Sequence, residues 1–253
     1  MEECSYKLEE MSVPEIEEAL RETDIVLIPI GSIEQHGPHL PIGTDTLIAI
    51  EIAKKVGEKA KVVVAPPIFY GNSVQMVDMQ GTVTVKPETL SIYLADICRA
   101  FAKQGFKKIV FINGHGGNIS SIDIIGNNLS KELGVAIIRI DWWTLAWEEI
   151  SKILETKLMH ACEGETSLML AIKPDIVKME KAKKDEFYWQ FVNEITEGSF
   201  NLPVIYLPFE KLTKTGVMGD PLKASAEKGQ KILEAVTRKI VAFLEKLGKI
   251  EGL

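Results

Sequence analysis

Glu34, His36, His39 and Asp45 fall within twelve residues, in the run Gly31-Ser-Ile-Glu34-Gln-His36-Gly-Pro-His39-Leu-Pro-Ile-Gly-Thr-Asp45. The chain has 4 histidines in all, and two of them sit here. Carboxylate oxygen with imidazole nitrogen is the donor set of Zn, Mn or Fe; an all-oxygen set would point to Mg or Ca. If the segment is extended, Glu34 and His36 project to the same side. Gly37 and Pro38 then bend the chain and let Asp45 return toward the pair. A polar surface loop that binds nothing is the competing reading of this segment alone.

Two further clusters hold the other histidines. Lys107-Lys-Ile-Val-Phe-Ile-Asn113 is an apolar run that ends in Gly114-His115-Gly116-Gly117-Asn118. After it, apolar residues at 119, 122, 125, 129 and 133 have the spacing of one helix face. His115 is therefore expected where a strand gives way to a helix, the place where open α/β sheets bind ligands. Such a turn also suits a phosphate, but the spacing fits neither the Walker loop nor the dinucleotide fingerprint. The third cluster is His160-Ala-Cys162-Glu163-Gly164-Glu165-Thr166-Ser167. Its acids suit a helix N-terminus, with Thr166 or Ser167 as capping partners in the plainer reading. Each histidine thus falls in a glycine-containing turn that is expected to follow a strand, and two of the three turns bear acids.

Together Glu34-Gln-His-Gly-Pro-His-Leu-Pro, Thr44-Asp45, Asn113-Gly-His-Gly-Gly-Asn118 and His160-Ala-x-Glu-x-Glu-Thr-Ser167 resemble the signature motifs of the creatininase (creatinine amidohydrolase) family. The resemblance runs from about residue 20 to 175, more weakly beyond. It implies a single-domain α/β/α hydrolase, residues 1–253, that opens amide bonds at a two-metal centre of Zn, Mn or Fe. By this resemblance Glu34 and His115 hold one metal and His36 the other, with Asp45 bridging. His160 matches the family's proton-transfer histidine, and Glu165 a carboxylate close to the second metal. Ser73 and Asn118, with Trp142 and Trp143, are taken as substrate-side residues. A homo-oligomer with the site near a subunit boundary is also implied.

The sequence departs from the family pattern in places. Two residues after the glycine-flanked histidine, creatininase itself has a metal-binding glutamate, whereas this chain has Gly117. That aligns it with the Gly-His-Gly-Gly-Asn branch, which includes an archaeal formamidopyrimidine-nucleotide deformylase, and leaves Glu165 to serve the second metal. Cys162 stands where the family usually has glycine. The stretch Tyr70-Gly-Asn72-Ser73-Val-Gln75-Met76 lacks the family's Glu-His pair, though Gly81-Thr82 is kept.

The expected chemistry is hydrolysis of an unactivated amide, cyclic amide or formamide in a small polar or heterocyclic substrate. Two metals would lower the pKa of a shared water and polarise the carbonyl, and His160 would protonate the departing nitrogen. Trp142, Trp143 and Trp147 could wall a flat substrate or simply pack helix on sheet. Cys162 is a poor nucleophile, since two neighbouring acids disfavour its thiolate. The rivals are a non-catalytic metal-binding or sensor protein, a phosphate-binding protein using the His115 loop, and a peptidase-type member of the family.

The elements that must position these groups alternate. Ser12-Val-Pro-Glu15 is a capping box opening a helix to about Arg21. Strands are expected at 24–30, 61–66, 108–112 and 135–140, with helices at 46–56, 87–103, 119–133 and 222–247. Alternation of this kind predicts a three-layer α/β/α sandwich with a mostly parallel sheet. Residues 181–220 read as irregular and are expected to border the site or a subunit contact.

With 253 residues and a hydrophobic fraction of 46%, the chain has ample core for one large domain. The acidic start Met1-Glu-Glu-Cys-Ser is unlike a signal peptide, and no apolar run reaches membrane-spanning length. Cys4, Cys98 and Cys162 are odd in number and far apart, as expected in a reducing cytoplasm. Net charge −7 without a basic stripe disfavours nucleic acid and leaves a small molecule as the expected partner.

Overall fold

A computed structural model describes residues 6–188, 190–191 and 207–250. Four strands, β1 (Ile25–Ile30), β2 (Val63–Val64), β3 (Lys108–Asn113) and β4 (Ala136–Asp141), form one sheet in the order β2-β1-β3-β4. Every pairing is parallel. The expected second strand, 61–66, shrinks to two residues, because Pro66 and Pro67 cannot donate to a ladder.

Helices cover both faces. α1 (Val13–Glu22) opens on the expected capping box, with the Glu15 carboxylate accepting from the Ser12 backbone and hydroxyl. α2 (Thr44–Ala60) starts two residues earlier than expected, so Asp45 lies in its first turn. α3 (Pro87–Gln104) starts on a proline and ends at Gly105, whose φ of 111° only glycine takes readily. α4 spans Ile119–Leu133, as its periodicity predicts.

After β4 the chain turns directly into two short helices, α5 (Trp142–Leu145) and α6 (Trp147–Ile153). α7 (Glu163–Ile172) carries the third cluster. The loop before it leaves a helix rather than a strand, so the expectation of a strand before every histidine fails for His160. Thr166 and Ser167 do not cap α7; its N-cap residue is Cys162. α8 (Ala226–Leu247) begins at Ser225, whose hydroxyl accepts from the Lys228 amide.

The strands are apolar without alternation because both faces are covered. Leu27, Val110 and Ile112 face one cluster with α2, α7 and α8 residues such as Ile52, Leu168 and Val236. Val26, Ile28 and Phe111 face the other, with Leu90 and Leu94 of α3 and Ile122 of α4. The result is the expected three-layer α/β/α sandwich. Parallel register also aligns the strand ends: Ile30 pairs with Asn113, and Asn113 with Asp141. The segments after β1 and β3 therefore leave the sheet side by side. Among the described residues no helix is long and apolar enough to cross a membrane.

Candidate metal centre

Aligned strand ends bring the first two clusters together. Asp45, at the N-terminus of α2 where the helix dipole favours an anion, reaches two imidazoles. Its Oδ1 lies 2.9 Å from His36 Nε2, and its Oδ2 lies 3.0 Å from His115 Nδ1. Oδ2 also accepts from the Ser32 hydroxyl at 2.8 Å. His36 donates from Nδ1 to the Glu34 carbonyl at 3.2 Å, which leaves Nε2 turned to the carboxylates. His115 lies 2.9 Å through Nε2 from the Asn72 carbonyl, which fixes its ring from the far side. Ser73 Oγ is 3.3 Å from the same nitrogen.

Glu34 comes from the loop after β1, held by a backbone bond to Ile42. Its carboxylate is buried, and neither oxygen has a hydrogen-bond partner. Oε2 lies 3.2 Å from His115 Nε2 and Oε1 3.6 Å from His160 Nδ1. A buried anion without hydrogen bonds is costly unless a cation completes it. The third cluster closes the group from the α7 side. Glu165 Oε2 accepts from the Ala161 amide and sits 4.0 Å from His36 Nε2. Ala161 takes φ 51°, a conformation non-glycine residues rarely adopt, and this kink turns His160 toward Glu34.

Ligand atoms thus gather in overlapping trios: Glu34, Asp45 and His115; His36, Asp45 and Glu165; and Glu34, His36 and His160. Asp45 belongs to two of them. The donors are mixed oxygen and nitrogen, several are buried anions, and the orphaned Glu34 oxygens aim inward, so the residues fit divalent ions of the Zn, Mn or Fe type.

Charges follow the geometry. Burial opposes a charge on His36, but Asp45 and Glu165 override it and raise the imidazole to about 10. His115 is opposed by burial in the same way, yet Glu34 and Asp45 raise it to about 9. Burial pushes Glu165 up to about 7 and raises Glu34 as well. His160 is held well below its ordinary value by burial and by the charge on His36.

A cavity of about 390 Å³ opens above the cluster. Glu34, Asp45, His115, His160 and Glu165 line one part, and Met76, Ile119, Trp143, Leu158 and Met159 supply apolar walls. Trp142 touches the cavity but is 2% exposed, stacked edge-on against Trp143 at 5.7 Å. Trp147 is half exposed and does not line the cavity.

Asn118 does not line it either. Its amide donates to Gly31 O and Asn113 Oδ1, and its carbonyl accepts from Asn72 N, so it ties the three site loops together. His39 turns away and meets Thr166 Oγ1 at 2.9 Å. Cys162 is buried, and burial raises its thiol to about 12, which suits packing rather than attack. Met76 and Gln75, from the stretch 70–76 that the resemblance puts on the substrate side, do line the cavity. Sequence reading missed Gln35, Leu158, Met159 and Phe209, which border His160 or the cavity. Only Gln35 carried a signal, standing between two ligand-type residues.

The sequence model of the creatininase family, described as creatinine amidohydrolase, matches residues 9–244. The chain belongs to this family. It is 32% identical over 255 residues to the 3-dehydro-scyllo-inosose hydrolase of Thermotoga maritima, covering 94% of this chain and 80% of that protein. It is 32% identical over 220 residues to the mycofactocin precursor peptide peptidase of Mycolicibacterium smegmatis, covering 82% of this chain and 79% of that one. Among solved structures, a Zn-Zn type mutant creatininase superposes with a TM-score of 0.80 at 24% identity, covering 97% of this chain and 99% of its own.

Proposed function

We propose that the protein is a metal-dependent amidohydrolase that cleaves a C–N amide, cyclic amide or formamide bond in a small polar or heterocyclic substrate. One observation carries this reading. Asp45 reaches His36 and His115 at once, beside a Glu34 carboxylate whose buried oxygens lack hydrogen bonds. Membership of the family, whose model matches residues 9–244, supports it.

In this reading two divalent ions bind per chain. Glu34, Asp45 and His115 hold one, and His36, Asp45 and Glu165 hold the other. Such ions supply an activated water and a polarised carbonyl. The chain's own residues do the rest. Asp45 sets the spacing of the two trios. Met76, Trp143, Leu158 and Met159 exclude bulk water and press on a flat substrate face. Ser73, expected on the substrate side, is buried and does not line the cavity; its hydroxyl lies 3.3 Å from His115 Nε2, where it steadies that ring. His160 Nδ1 faces Glu34 at the cavity floor, where it can pass a proton to the departing nitrogen.

The cavity also speaks to substrate charge. No described residue lining it is Lys or Arg, and residues 189 and 192–206 contain neither. An anionic group such as a phosphate would therefore have only the proposed metal ions to pair with, and the described walls add no cation of their own. A peptidase-type activity is the second reading, favoured by the Mycolicibacterium relative's name.

The deciding experiment is turnover of a panel of N-formyl amines, cyclic ureides and short peptides by metal-loaded protein. Hydrolysis of a member of the first two groups is expected; cleavage of peptides alone would move the assignment to the second reading. A cytoplasmic homo-oligomer with the site near a subunit boundary completes the proposal. Sedimentation showing only a 28.1 kDa monomer would remove the oligomer.

A further inference from the structure

Asp185 lies far from the ligands in sequence and outside every motif above, yet one of its oxygens collects three donors. Asp185 Oδ2 accepts from the Lys214 amide at 2.8 Å and from the Thr215 amide and hydroxyl at 3.0 Å each, and it lies 3.0 Å from the Thr213 hydroxyl, whose one hydrogen is also within reach of the Val217 carbonyl at 2.7 Å. Its backbone pairs in both directions with Gly219. These bonds fix both ends of the 213–219 loop, and that loop grips the histidine of the third cluster from two sides. The Met218 amide donates to the His160 carbonyl at 2.8 Å. The Gly216 carbonyl accepts from Gln35 Nε2 at 3.1 Å, while Gln35 Oε1 accepts from the Gly37 amide at 3.0 Å. Gly216 sits so close that a Cβ there would overlap Gln35 Oε1.

The Gln35 peptide held in this way presents its carbonyl to His160 Nε2 at 2.9 Å. A carbonyl can only accept, so Nε2 must carry the ring proton. Gln35 Nε2 is also 3.1 Å from that nitrogen, but its hydrogens have other acceptors in Gly216 O and Met76 Sδ. The ring itself is held between His36, with centroids 4.3 Å apart, and the edge of Phe209 at 5.0 Å. The remaining nitrogen, Nδ1, points to Glu34 Oε1 and the cavity.

We infer that Asp185 is a positioning residue that, through the 213–219 loop and Gln35, locks His160 in the Nε2–H tautomer and makes Nδ1 the nitrogen that moves protons. The inference rests on His160 as the proton-transfer group. Nδ1 takes one proton from water as the C–O bond forms, and gives one to the departing nitrogen as the C–N bond breaks. The imidazole ends as it began, with Nε2–H never released.

Nitrogen-15 NMR of histidine-labelled, zinc-loaded full-length protein reads the tautomer without any turnover assay, and His160→Ala identifies the signal. A single Nε2–H pattern is expected for His160. In Asp185→Ala this pattern should be lost to a mixture of tautomers, with the signals of His36 and His115 and the zinc content unchanged. Asp185→Asn, which keeps one acceptor oxygen, should retain it in part. Gly216→Ala, which pushes on Gln35 from the other end, gives the same loss should Asp185→Ala fail to fold. An Nδ1–H pattern in the unaltered protein would overturn the inference. So would an unchanged His160 signal in folded Asp185→Ala or Gly216→Ala. Failure of the amidohydrolase reading shows separately, as no turnover across the substrate panel with the tautomer intact.

Discussion

Gly117 is backed by the carbonyl oxygen of Asn72, with no room for a Cβ between them. That carbonyl is the same one that lies 2.9 Å from His115 Nε2. The backbone of the Asn72 loop thus fills the space a side chain at 117 would need, and it orients His115 at the same time. A carboxylate from position 117 has no place here, which leaves Glu165 as the acid nearest His36 on the α7 side.

Gly117→Ala should therefore displace the Asn72 loop, cost about 1–3 kcal/mol of stability, and weaken metal binding by roughly 10–100-fold through the lost His115 orientation. Thermal melting and metal titration of the variant check both effects. Normal metal affinity would show that Asn72 does not set the ring.

Asp45→Asn should deplete both ions, because Asp45 alone is assigned to touch both. Elemental analysis after dialysis is the measurement. Two ions retained at full occupancy would refute the bridging role.

His160→Ala should cut turnover by about 10²–10⁴-fold with metal content nearly intact, as expected for loss of a proton-transfer group. His115→Ala should lower occupancy and activity together and recover partly in excess metal. Loss of metal from His160→Ala, or full activity in it, would defeat the division of labour.

Metal uptake should be strongly pH-dependent. In the metal-free chain His36 is raised from 6.5 to about 10 and His115 from 6.5 to about 9, so both are protonated at neutral pH. Binding must expel those protons, and affinity should rise as pH climbs from about 6 to about 9. The same sign governs stability. Their ion pairs with Asp45, whose carboxyl is held low by the two imidazoles, stabilise the metal-free fold fully below pH about 6.5, and that contribution fades as pH rises through about 9–10. Calorimetry in buffers of different ionisation enthalpy reads the released protons, and an uptake without proton release would contradict this picture.

Burial also raises the Cys98 and Cys162 thiols to about 12. Cys4→Ser protein should then show no thiol reacting promptly at pH 8, and two after denaturation. A fast-reacting thiol in the native variant would place one of them at the surface.

Much of this site was legible in the residues because its ligands cluster locally. Glu34, His36 and Asp45 share one segment, and the glycines around His115 mark the abrupt turn from β3 to α4. The α4 boundaries followed from spacing alone. What could not be read was the company kept across long sequence distances. Leu158 and Phe209 border the site through loops without regular periodicity, and they look in sequence like ordinary core. Asn118 looked like a substrate-side group because an amide beside a ligand is chemically suited to either task; its burial turns it to backbone instead. The origin of His160 in a helix-to-helix loop was hidden because no pattern distinguishes a turn after a strand from one after α6.

The two trios around Asp45 are completed at different points along the chain. Glu34, Asp45 and His115 are all present two residues past the end of β3, whereas Glu165 arrives only with α7. On a growing polypeptide, the first set of ligands is synthesised fifty residues ahead of the last member of the second. In the proposed two-ion centre the Glu34–Asp45–His115 position is therefore supplied before the His36–Asp45–Glu165 position, which is complete only once α7 is made.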